Sequence, residues 1–273
     1  MLTPVKTLII TGFGLNCERE TAAAFRQAGS EPEQVHLNDL LSGERRLDEF
    51  HILAFIGGFS FGDHLGAGTV FANRVRQRLQ TQLEDFVGGG KLVIGICNGF
   101  QTITRLGLVP ALDGIEAAPR VALAENQQGV FRDAWVELKV EPDSPCVFTK
   151  CIDRLPVPIR HGEGRVVVES DELLDELERR NLIPVRYADP GTGEPARDFP
   201  HNPNGSVNAI AGICDPSGRV FGLMPHPEAY LSPYNHPHWQ RQKIERTLPE
   251  KGLGQAVFEN AVRFAETECT LAW

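Results

Sequence analysis

The sequence predicts an α/β fold in which a mostly parallel sheet is flanked by helices. Over the first 106 residues, short apolar segments alternate with segments of helical pattern, which is typical of β–α–β units. The apolar segments are continuously hydrophobic, as expected for parallel strands buried on both faces. Between residues 121 and 168 the pattern changes to shorter, alternating segments such as WVELKV. We therefore expect a partly antiparallel region there.

The predicted parallel strands come first in the chain. Asn16 is the expected N-cap of the first helix, because Glu18 and Glu20 then fall in its first turn, where the helix dipole favours acids. Gly29 is the natural end of that helix. The predicted strands span residues 6–11, 34–37, 51–56 and 91–96, and the later helices span residues 70–87 and 98–106.

The remaining segments complete the predicted fold. Residues 183–188, 207–214 and 219–224 are expected strands, and the turn sequence DPSG at residues 215–218 predicts a hairpin between the last two. A final helix is expected over residues 253–267. Because no internal repeat or long linker interrupts the pattern, we expect a single domain over residues 1–273.

Composition narrows the possible functions. The 273 residues are 41% hydrophobic, which suits a globular core. The net charge of −9 argues weakly against nucleic acid as a partner. No apolar run reaches the roughly 18 residues of a membrane span. The first apolar stretch, residues 8–10, is too short for a secretion signal, so we expect a cytoplasmic protein.

The six cysteines include no CxxC pair, so zinc-type spacing is absent and no metal site is expected. Five of them are expected to be small buried hydrophobic side chains. These five are Cys17, Cys146, Cys151, Cys214 and Cys269. The sixth, Cys97, has a sequence context that predicts chemistry.

Cys97 lies in the sequence GICNGF, directly after the apolar run of residues 92–94. A nucleophile between two glycines, where a buried strand turns into a helix, is the nucleophile-elbow pattern G-x-(Ser/Cys)-x-G. A flanking glycine removes a Cβ that would clash in the sharp turn. The Cys97 side chain would project above the carboxyl end of the sheet, where the dipole of the new helix favours the thiolate. An ordinary strand–helix turn with a buried cysteine is the alternative, unless a base lies nearby.

The candidate base is His226, in the sequence LMPHPE directly after a predicted strand. Pro227 disfavours helical conformation at His226 and keeps the backbone extended. Because residues two apart in an extended chain point to the same side, Glu228 is expected beside His226. Its carboxylate can accept the imidazole N–H and orient the ring, as the third member of a catalytic triad does. A surface loop is the alternative, and it is the preferred interpretation for His201 and His236.

Hydrolysis through a thiolate also needs hydrogen-bond donors for the oxyanion. The free N–H of Asn98, at the start of the helix, is one candidate. The second lies in GGFSFGD, residues 57–63, which follows the strand expected next to the elbow strand. Glycine-rich backbone at that edge can turn the N–H of Gly58 or Phe59 toward the site, and a simple flexible turn is the alternative.

Together these segments resemble a class I, or triad, glutamine amidotransferase, a family with a flavodoxin-like fold. The resemblance runs in order through nearly the whole chain, and it narrows to the glutaminase subunits of phosphoribosylformylglycinamidine synthase, an enzyme of purine biosynthesis. It is carried by GFGLNC, GGFSFGD, GICNGFQ, PIRHGEGR, the segment 204–214 and the following DPSGRVFGLMPHPE.

The resemblance implies a role for each matching residue. Cys97 would be the nucleophile, His226 the general base and then the acid, and Glu228 the residue that orients His226. Gln101, one helical turn beyond Cys97, would face the bound glutamine. His161 would lie near the active-site mouth and the partner surface, with a polar surface loop as an equal alternative.

The same resemblance implies a reaction and its partners. In this family glutamine is hydrolysed to glutamate and ammonia through a cysteine thioester, and a synthetase subunit uses the ammonia. A small bridging subunit is a further candidate partner. The synthetase would use ATP and magnesium to make formylglycinamidine ribonucleotide. This sequence has no G-x-x-x-x-G-K-[ST] phosphate loop, so we expect no cofactor in the chain itself.

Three other functions stay open at the level of sequence. A free-standing cysteine hydrolase, such as a peptidase or deglycase-like protein, often carries histidine directly after the elbow cysteine, whereas this chain has Asn98 there. A non-catalytic subunit would be expected to lack a member of the triad. A glutaminase for another synthetase is disfavoured only by the resemblance of GGFSFGD and HGEGR. The chain also departs from shorter relatives over residues 188–201 and 230–252, which affects its surface rather than the triad.

Overall fold

The computed structural model describes residues 4–62 and 65–269. Asp63, the last residue of GGFSFGD, and the side chain of Cys269 lie outside the described residues. The strands are β1 (Lys6–Thr11), β2 (Glu31–His36), β3 (Ile52–Phe55), β4 (Leu92–Ile96), β5 (Val121–Glu125), β6 (Arg132–Val140), β7 (Arg154–His161), β8 (Glu163–Val168), β9 (Val185–Ala188), β10 (Ile210–Cys214) and β11 (Val220–Leu223). The helices are α1 (Glu18–Gln27), α2 (Leu37–Ser42), α3 (Thr69–Gly88), α4 (Asn98–Arg105), α5 (Asp171–Arg179), α6 (Trp239–Glu245) and α7 (Gln255–Cys269).

One half of the main sheet is parallel. Its strands lie in the order β2-β1-β3-β4-β11, and each neighbouring pair is parallel. This is the strand order of doubly wound flavodoxin-like sheets. Strands β3, β4 and β11 are buried at every residue, which is why their sequences are continuously apolar. Helix α4 packs on all three of these strands. The predicted α/β class and its flavodoxin-like parallel sheet are confirmed.

The other half of the main sheet is antiparallel. Strands β10, β9, β6 and β7 continue the same sheet beyond β11, and each pairs antiparallel with its neighbour. Strands β5 and β8 form a separate antiparallel pair. The predicted antiparallel region and the hairpin between β10 and β11 are therefore present. The sequence did not indicate that these strands would extend the parallel sheet.

Some predicted boundaries differ from the observed ones. The N-cap of α1 is Cys17 rather than Asn16, and no side chain caps that helix. Strand β2 begins at Glu31, three residues before its predicted start, and Leu37 opens α2 instead of ending the strand. Strand β2 lies at the edge of the sheet and is mostly polar, so it lacks the apolar run that marks the central strands.

The fold brings three predicted site segments to one edge of the sheet. Strands β3, β4 and β11 are neighbours and run in the same direction, so their carboxyl ends lie side by side. The segment beginning at Gly57, the elbow cysteine and the segment with His226 follow these three ends. None of the helices in the described part of the chain has the length and apolar character that a membrane-spanning segment needs.

Candidate active site

Cys97 occupies a strained turn between β4 and α4. Its backbone angles are φ 53° and ψ −108°, and a positive φ is uncommon for a residue that has a side chain. Two hydrogen bonds fix this conformation: the Cys97 N–H donates to the Leu223 carbonyl at 2.8 Å, and the Cys97 carbonyl accepts from the Gln101 N–H at 3.1 Å. The expected elbow is therefore present, and it is anchored to β11 as well as to its own helix.

The glycine after the elbow allows α4 to approach the sheet closely. A Cβ on Gly99 would overlap the carbonyl oxygen of Phe55, at the end of β3. A Cβ on Gly95 would lie 2.7 Å from the carbonyl oxygen of Gly99. Any larger residue at either position would push the first turn of α4 away from the strands, so both glycines set the position of the Cys97 side chain.

His226 and Glu228 form a buried pair directly after β11. The Nδ1 atom of His226 lies 2.6 Å from Oε1 of Glu228, and the two residues are 2% and 1% exposed. The expected contact is present, but the expected reason for it is wrong. Residues Pro227–Ala229 form a short 3-10 turn rather than an extended chain, and this turn brings the carboxylate back to the ring. The backbone N–H of His226 donates to the Pro158 carbonyl at 2.8 Å, and this bond connects the turn to β7.

The neighbours of His226 favour its charged form. Burial by itself lowers the pKa of His226, because the imidazolium loses its hydration. The Glu228 carboxylate opposes this effect, followed by Cys97 and Cys17, and together they raise the pKa of His226 well above its usual value. His226 is therefore able to carry a proton at neutral pH beside the sulfur of Cys97.

Cys97 and His226 line one cavity of about 190 Å³. The Nε2 atom of His226 is buried and has no hydrogen-bond partner among the described residues. Its other ring nitrogen is taken by Glu228, so Nε2 is the atom free to exchange a proton at the site. The arrangement can therefore support attack by sulfur and proton transfer by imidazole.

The geometry distinguishes among the candidate N–H donors for the oxyanion. Gly58 and Phe59 both line the cavity. The N–H of Phe59 donates to the Gly14 carbonyl at 3.0 Å, so it is already engaged. The N–H of Gly58 has no hydrogen-bond acceptor within the described residues. Asn98 is the first residue of α4, where N–H groups lack partners inside the helix. Gly58 and Asn98 are therefore the better candidates.

Gln101 does not line the cavity. Its side chain is buried between two polar partners: Asn98 Nδ2 donates to Gln101 Oε1 at 2.9 Å, and Gln101 Nε2 donates to the Glu163 carbonyl at 2.6 Å. This side chain joins the start of α4 to the segment HGEGR. In this arrangement it supports the elbow, and its expected contact with glutamine stays a prediction.

His161 lies inside the protein, so the surface-loop alternative is wrong for it. Its expected place near the active-site mouth and the partner surface stays a prediction. His161 is 2% exposed, and its Nδ1 lies 3.0 Å from Oδ1 of Asn126. Burial, and then the charge of nearby His226, lower the pKa of His161 to about 3. The alternating pattern of β7 buries His161 at the end of that strand, which the motif alone did not indicate.

Sequence reasoning placed none of five other cavity-lining residues in the site: Asn16, Cys17, Glu20, Phe131 and Arg160. Three of them belong to or follow GFGLNC, which comes directly after β1. Because β1 neighbours β3, the position of that segment directly after a strand could have indicated that it lies at the site. Phe131 and Arg160 come from the antiparallel half. Arg160 lies in PIRHGEGR, a segment that carries the resemblance, whereas no local pattern marks Phe131.

The other cysteines differ in their surroundings. Cys17, Cys146 and Cys214 are buried, as expected, whereas Cys151 is exposed. The expectation of burial is therefore wrong for Cys151, which lies in the turn before β7. Within the described part of the chain, one group of potential metal ligands comes together, formed by Cys17, His226 and Glu228 within 4.8 Å of one another. His226 and Glu228 already bond each other, which suits a triad.

A cysteine at an elbow and a histidine–carboxylate pair, on a flavodoxin-order sheet, define a triad amidotransferase or hydrolase. Comparison with known proteins decides between these classes. Residues 4–265 match the model of the CobB/CobQ-like glutamine amidotransferase domain. The chain belongs to this glutamine amidotransferase family and, within it, to the PurQ subunits of phosphoribosylformylglycinamidine synthase. The resemblance seen in the sequence is confirmed, and the chain is a glutaminase-type enzyme subunit.

Individual relatives match over nearly their whole length. The PurQ subunit of Dehalococcoides mccartyi is 45% identical over 97% of this chain and 99% of its own. The PurQ subunit of Methanococcus maripaludis strain S2 is 46% identical over 95% of this chain and 97% of its own. A solved structure of PurLQS from Thermotoga maritima superposes with a TM-score of 0.70 at 29% identity, over 96% of this chain and 99% of the matched chain. A glutamine amidotransferase from the same organism, at 17% identity and a TM-score of 0.52, shares the fold.

Proposed function

We propose that this chain hydrolyses glutamine to glutamate and ammonia through a thioester on Cys97, and that the ammonia passes to a synthetase subunit. One observation carries this proposal: the elbow thiol of Cys97 and the Glu228-bonded His226 line the same small cavity. The family to which the chain belongs supports glutamine as the substrate.

The residues divide the reaction between them. The Cys97 thiolate attacks the side-chain amide carbon of glutamine, and the resulting oxyanion accepts hydrogen bonds from the N–H groups of Asn98 and Gly58. His226, which carries a proton because of Glu228, donates that proton to the leaving ammonia. Neutral His226 then takes a proton from water, which attacks the thioester and releases glutamate. Two easier steps replace one difficult displacement, as in other covalent mechanisms.

The ammonia acceptor lies outside this chain. We infer a synthetase subunit that uses ATP and magnesium to convert formylglycinamide ribonucleotide to formylglycinamidine ribonucleotide. The relatives named as subunits of this synthase and the PurLQS match support this inference. A small bridging subunit is a further proposed partner. The cytoplasmic location and the absence of a cofactor in this chain stay predictions from the sequence.

The test is glutamate release from glutamine by the purified chain, with and without the cognate synthetase, its nucleotide substrate and ATP. We expect activity that requires Cys97 and rises when the synthetase complex is assembled. Cys97→Ala should remove it, whereas Cys151→Ala, at an exposed thiol, serves as the matched control. Hydrolysis of a peptide or ester in place of glutamine under every condition would instead support the free-standing hydrolase, which full-length similarity to synthase subunits disfavours.

A further inference from the structure

Three potential metal ligands from distant parts of the chain lie together beside the active-site cavity. The Cys17 sulfur, a ring nitrogen of His226 and a carboxylate oxygen of Glu228 are all within 4.8 Å of one another, and all three residues are buried. No other such group forms among the side chains that the structure describes. These residues lack zinc-type spacing in the chain, so the sequence did not predict the group. The proposed mechanism gives no chemical step to Cys17.

The backbone holds the Cys17 sulfur against the imidazole of His226. Cys17 lies directly before α1, and the N–H of the preceding residue, Asn16, donates to the Gly57 carbonyl at 3.1 Å. A Cβ atom on Gly57 would lie 2.9 Å from the Cys17 sulfur and 2.8 Å from Cε1 of His226. Because glycine has no Cβ, the sulfur and the ring can approach each other across this residue.

Two of the three residues have a buried polar atom without a partner. Oε1 of Glu228 bonds Nδ1 of His226 at 2.6 Å. Oε2 of Glu228 and Nε2 of His226 have no hydrogen-bond partner among the described residues, and the two residues are 1% and 2% exposed. Buried polar atoms are normally satisfied. The proposed mechanism accounts for Nε2 but gives no partner to Oε2, so this oxygen indicates a further ligand inside the protein.

The chemistry of these three groups suits zinc. Thiolate, imidazole and carboxylate are its ordinary protein ligands, at about 2.0–2.3 Å from the ion. Tetrahedral ligands at those distances lie about 3.3–3.8 Å apart, so side-chain shifts on the order of 1 Å gather the three groups around one ion. A thiolate and a carboxylate together neutralise Zn²⁺, which lowers the cost of burying its charge. Magnesium prefers six oxygen ligands, so it does not match a site that contains sulfur.

We propose that Cys17, His226 and Glu228 form a binding site for Zn²⁺, and that zinc bound there inhibits the glutaminase. The ion enters from the cavity, which both Cys17 and His226 line. A His226 ring that binds zinc gives one nitrogen to the ion, so it no longer alternates between the imidazolium and neutral forms that acid–base catalysis needs. Zinc binding is independent of the proposed function, and only the inhibition rests on it.

Zinc binding is measured first, without turnover. Full-length chain carrying Cys97→Ala and Cys151→Ala, which remove the nucleophile and the exposed thiol, is titrated calorimetrically with ZnCl₂. We expect one ion to bind per chain. Adding Cys17→Ser should weaken zinc binding about 100-fold or more, since loss of a residue that only supports a ligand costs about 10- to 100-fold. Adding Cys214→Ser, at a buried thiol outside the cavity, is the matched control and should leave the affinity unchanged.

The absorption spectrum of bound Co²⁺ shows whether the Cys17 sulfur is a ligand. Co²⁺ binds the same kinds of N, O and S site as Zn²⁺, and a thiolate ligand gives it a near-ultraviolet charge-transfer band. The band should be present in the Cys97→Ala, Cys151→Ala chain and absent after Cys17→Ser. Glu228→Gln, which removes a ligand at a separate position, should weaken zinc binding as well. The proposal is overturned if zinc affinity survives Cys17→Ser, or if Cys97→Ala alone abolishes it, which would place the ion on the nucleophile.

Inhibition is then measured as glutamate release by the chain assembled with the cognate synthetase. Zinc should stop glutamate release, a zinc-selective chelator should restore it, and Cys17→Ser should require about 100-fold more zinc for the same inhibition. Full glutamate release with zinc bound would overturn the inhibitory role. Failure of the untreated complex to release glutamate would overturn the proposed function instead, and zinc binding by the isolated chain would still support the metal site.

Discussion

Two buried histidines in this protein have opposite electrostatic character. His226 and His161 are each 2% exposed, and each has a buried Nε2 without a partner among the described residues. Their Nδ1 atoms contact different groups, a carboxylate of Glu228 for His226 and an amide oxygen of Asn126 for His161. The pKa of His226 is raised, whereas that of His161 is lowered to about 3.

The comparison shows that burial alone does not decide the charge of a histidine. Burial disfavours the imidazolium in both places, and at His226 the negative charge of Glu228, with smaller contributions from Cys97 and Cys17, reverses that effect. The proton carried by His226 then repels a second proton on His161, which is part of why the pKa of His161 is low. We therefore assign proton transfer to His226 and a neutral, structural role to His161.

The largest predicted effect separates the two histidines directly. His226→Asn removes the group that protonates ammonia, and it should lower kcat for glutamine hydrolysis about 10⁴-fold, the upper range for general acid–base catalysis. His161→Asn supplies the matched control and should lower kcat at most about tenfold, because neutral His161 transfers no proton in the mechanism. Steady-state glutamate release by the assembled complex measures both. Equal losses would show that the division of roles is wrong.

The next effect comes from making the surroundings of His226 resemble those of His161. Glu228→Gln keeps the shape of the side chain but removes its charge, so the pKa of His226 should fall. We expect kcat to drop about 100-fold and the alkaline limb of the kcat profile to move to lower pH. A pH–rate profile of the variant against the wild type measures the shift. A drop in kcat with an unmoved alkaline limb would mean that Glu228 positions the ring without setting its charge.

A third prediction concerns stability and follows from His161. Its folded pKa of about 3 is below the unfolded value of ~6.5, so the unfolded chain binds the proton more readily. Stability from neutral His161 is thus present above pH ~6.5 and is lost as pH falls from there toward 3, at up to ~1.4 kcal/mol per pH unit. His226 has the opposite sign: its contribution is present below pH ~6.5 and is lost as pH rises through its raised folded pKa.

Urea unfolding at several pH values between 7 and 5 tests this prediction. His161→Asn should lack the contribution of neutral His161, so the difference in free energy of unfolding between wild type and variant should shrink as pH falls. Other titrating groups affect both proteins alike and cancel in the difference. A difference that stays constant across this range would show that His161 takes up its proton in the folded state.

The smallest predicted effect involves Cys17, the neutral neighbour of His226. The pKa of Cys17 is raised to about 11, first by burial, so its thiol carries no charge at neutral pH and adds no negative charge beside His226. Cys17→Ala should therefore change kcat by less than about tenfold and should move the alkaline limb less than Glu228→Gln does. A shift as large as that of Glu228→Gln would mean that Cys17 carries charge in the resting site.

The sequence predicted the parts of the site that depend on local structure. The elbow at Cys97 follows from an apolar strand, a nucleophile and flanking glycines, all within a few residues. The contact of His226 with Glu228 was also predicted, although a 3-10 turn rather than an extended chain produces it. Local pattern was sufficient in both cases because the interacting groups are close in sequence.

Features that depend on distant segments were not predictable in this way. The buried position of His161 requires Asn126 and the end of β7, and the engagement of the Phe59 N–H requires the carbonyl of Gly14. The cavity combines Glu20, in the helix after β1, with Arg160 in β7, the last strand of the sheet order, and no periodicity relates these two segments. Gln101 likewise meets Glu163 across 62 positions of the chain.

The sequence by itself determined the α/β class and the segments that follow the parallel strands, and it predicted the triad residues, because apolar runs, glycines and short motifs constrain the backbone locally. The tertiary structure alone decided which charges meet. Protonation of a buried group depends on the atoms packed within a few ångströms of it, whichever part of the chain supplies them. That is why His226 and His161, alike in type and burial, differ in charge.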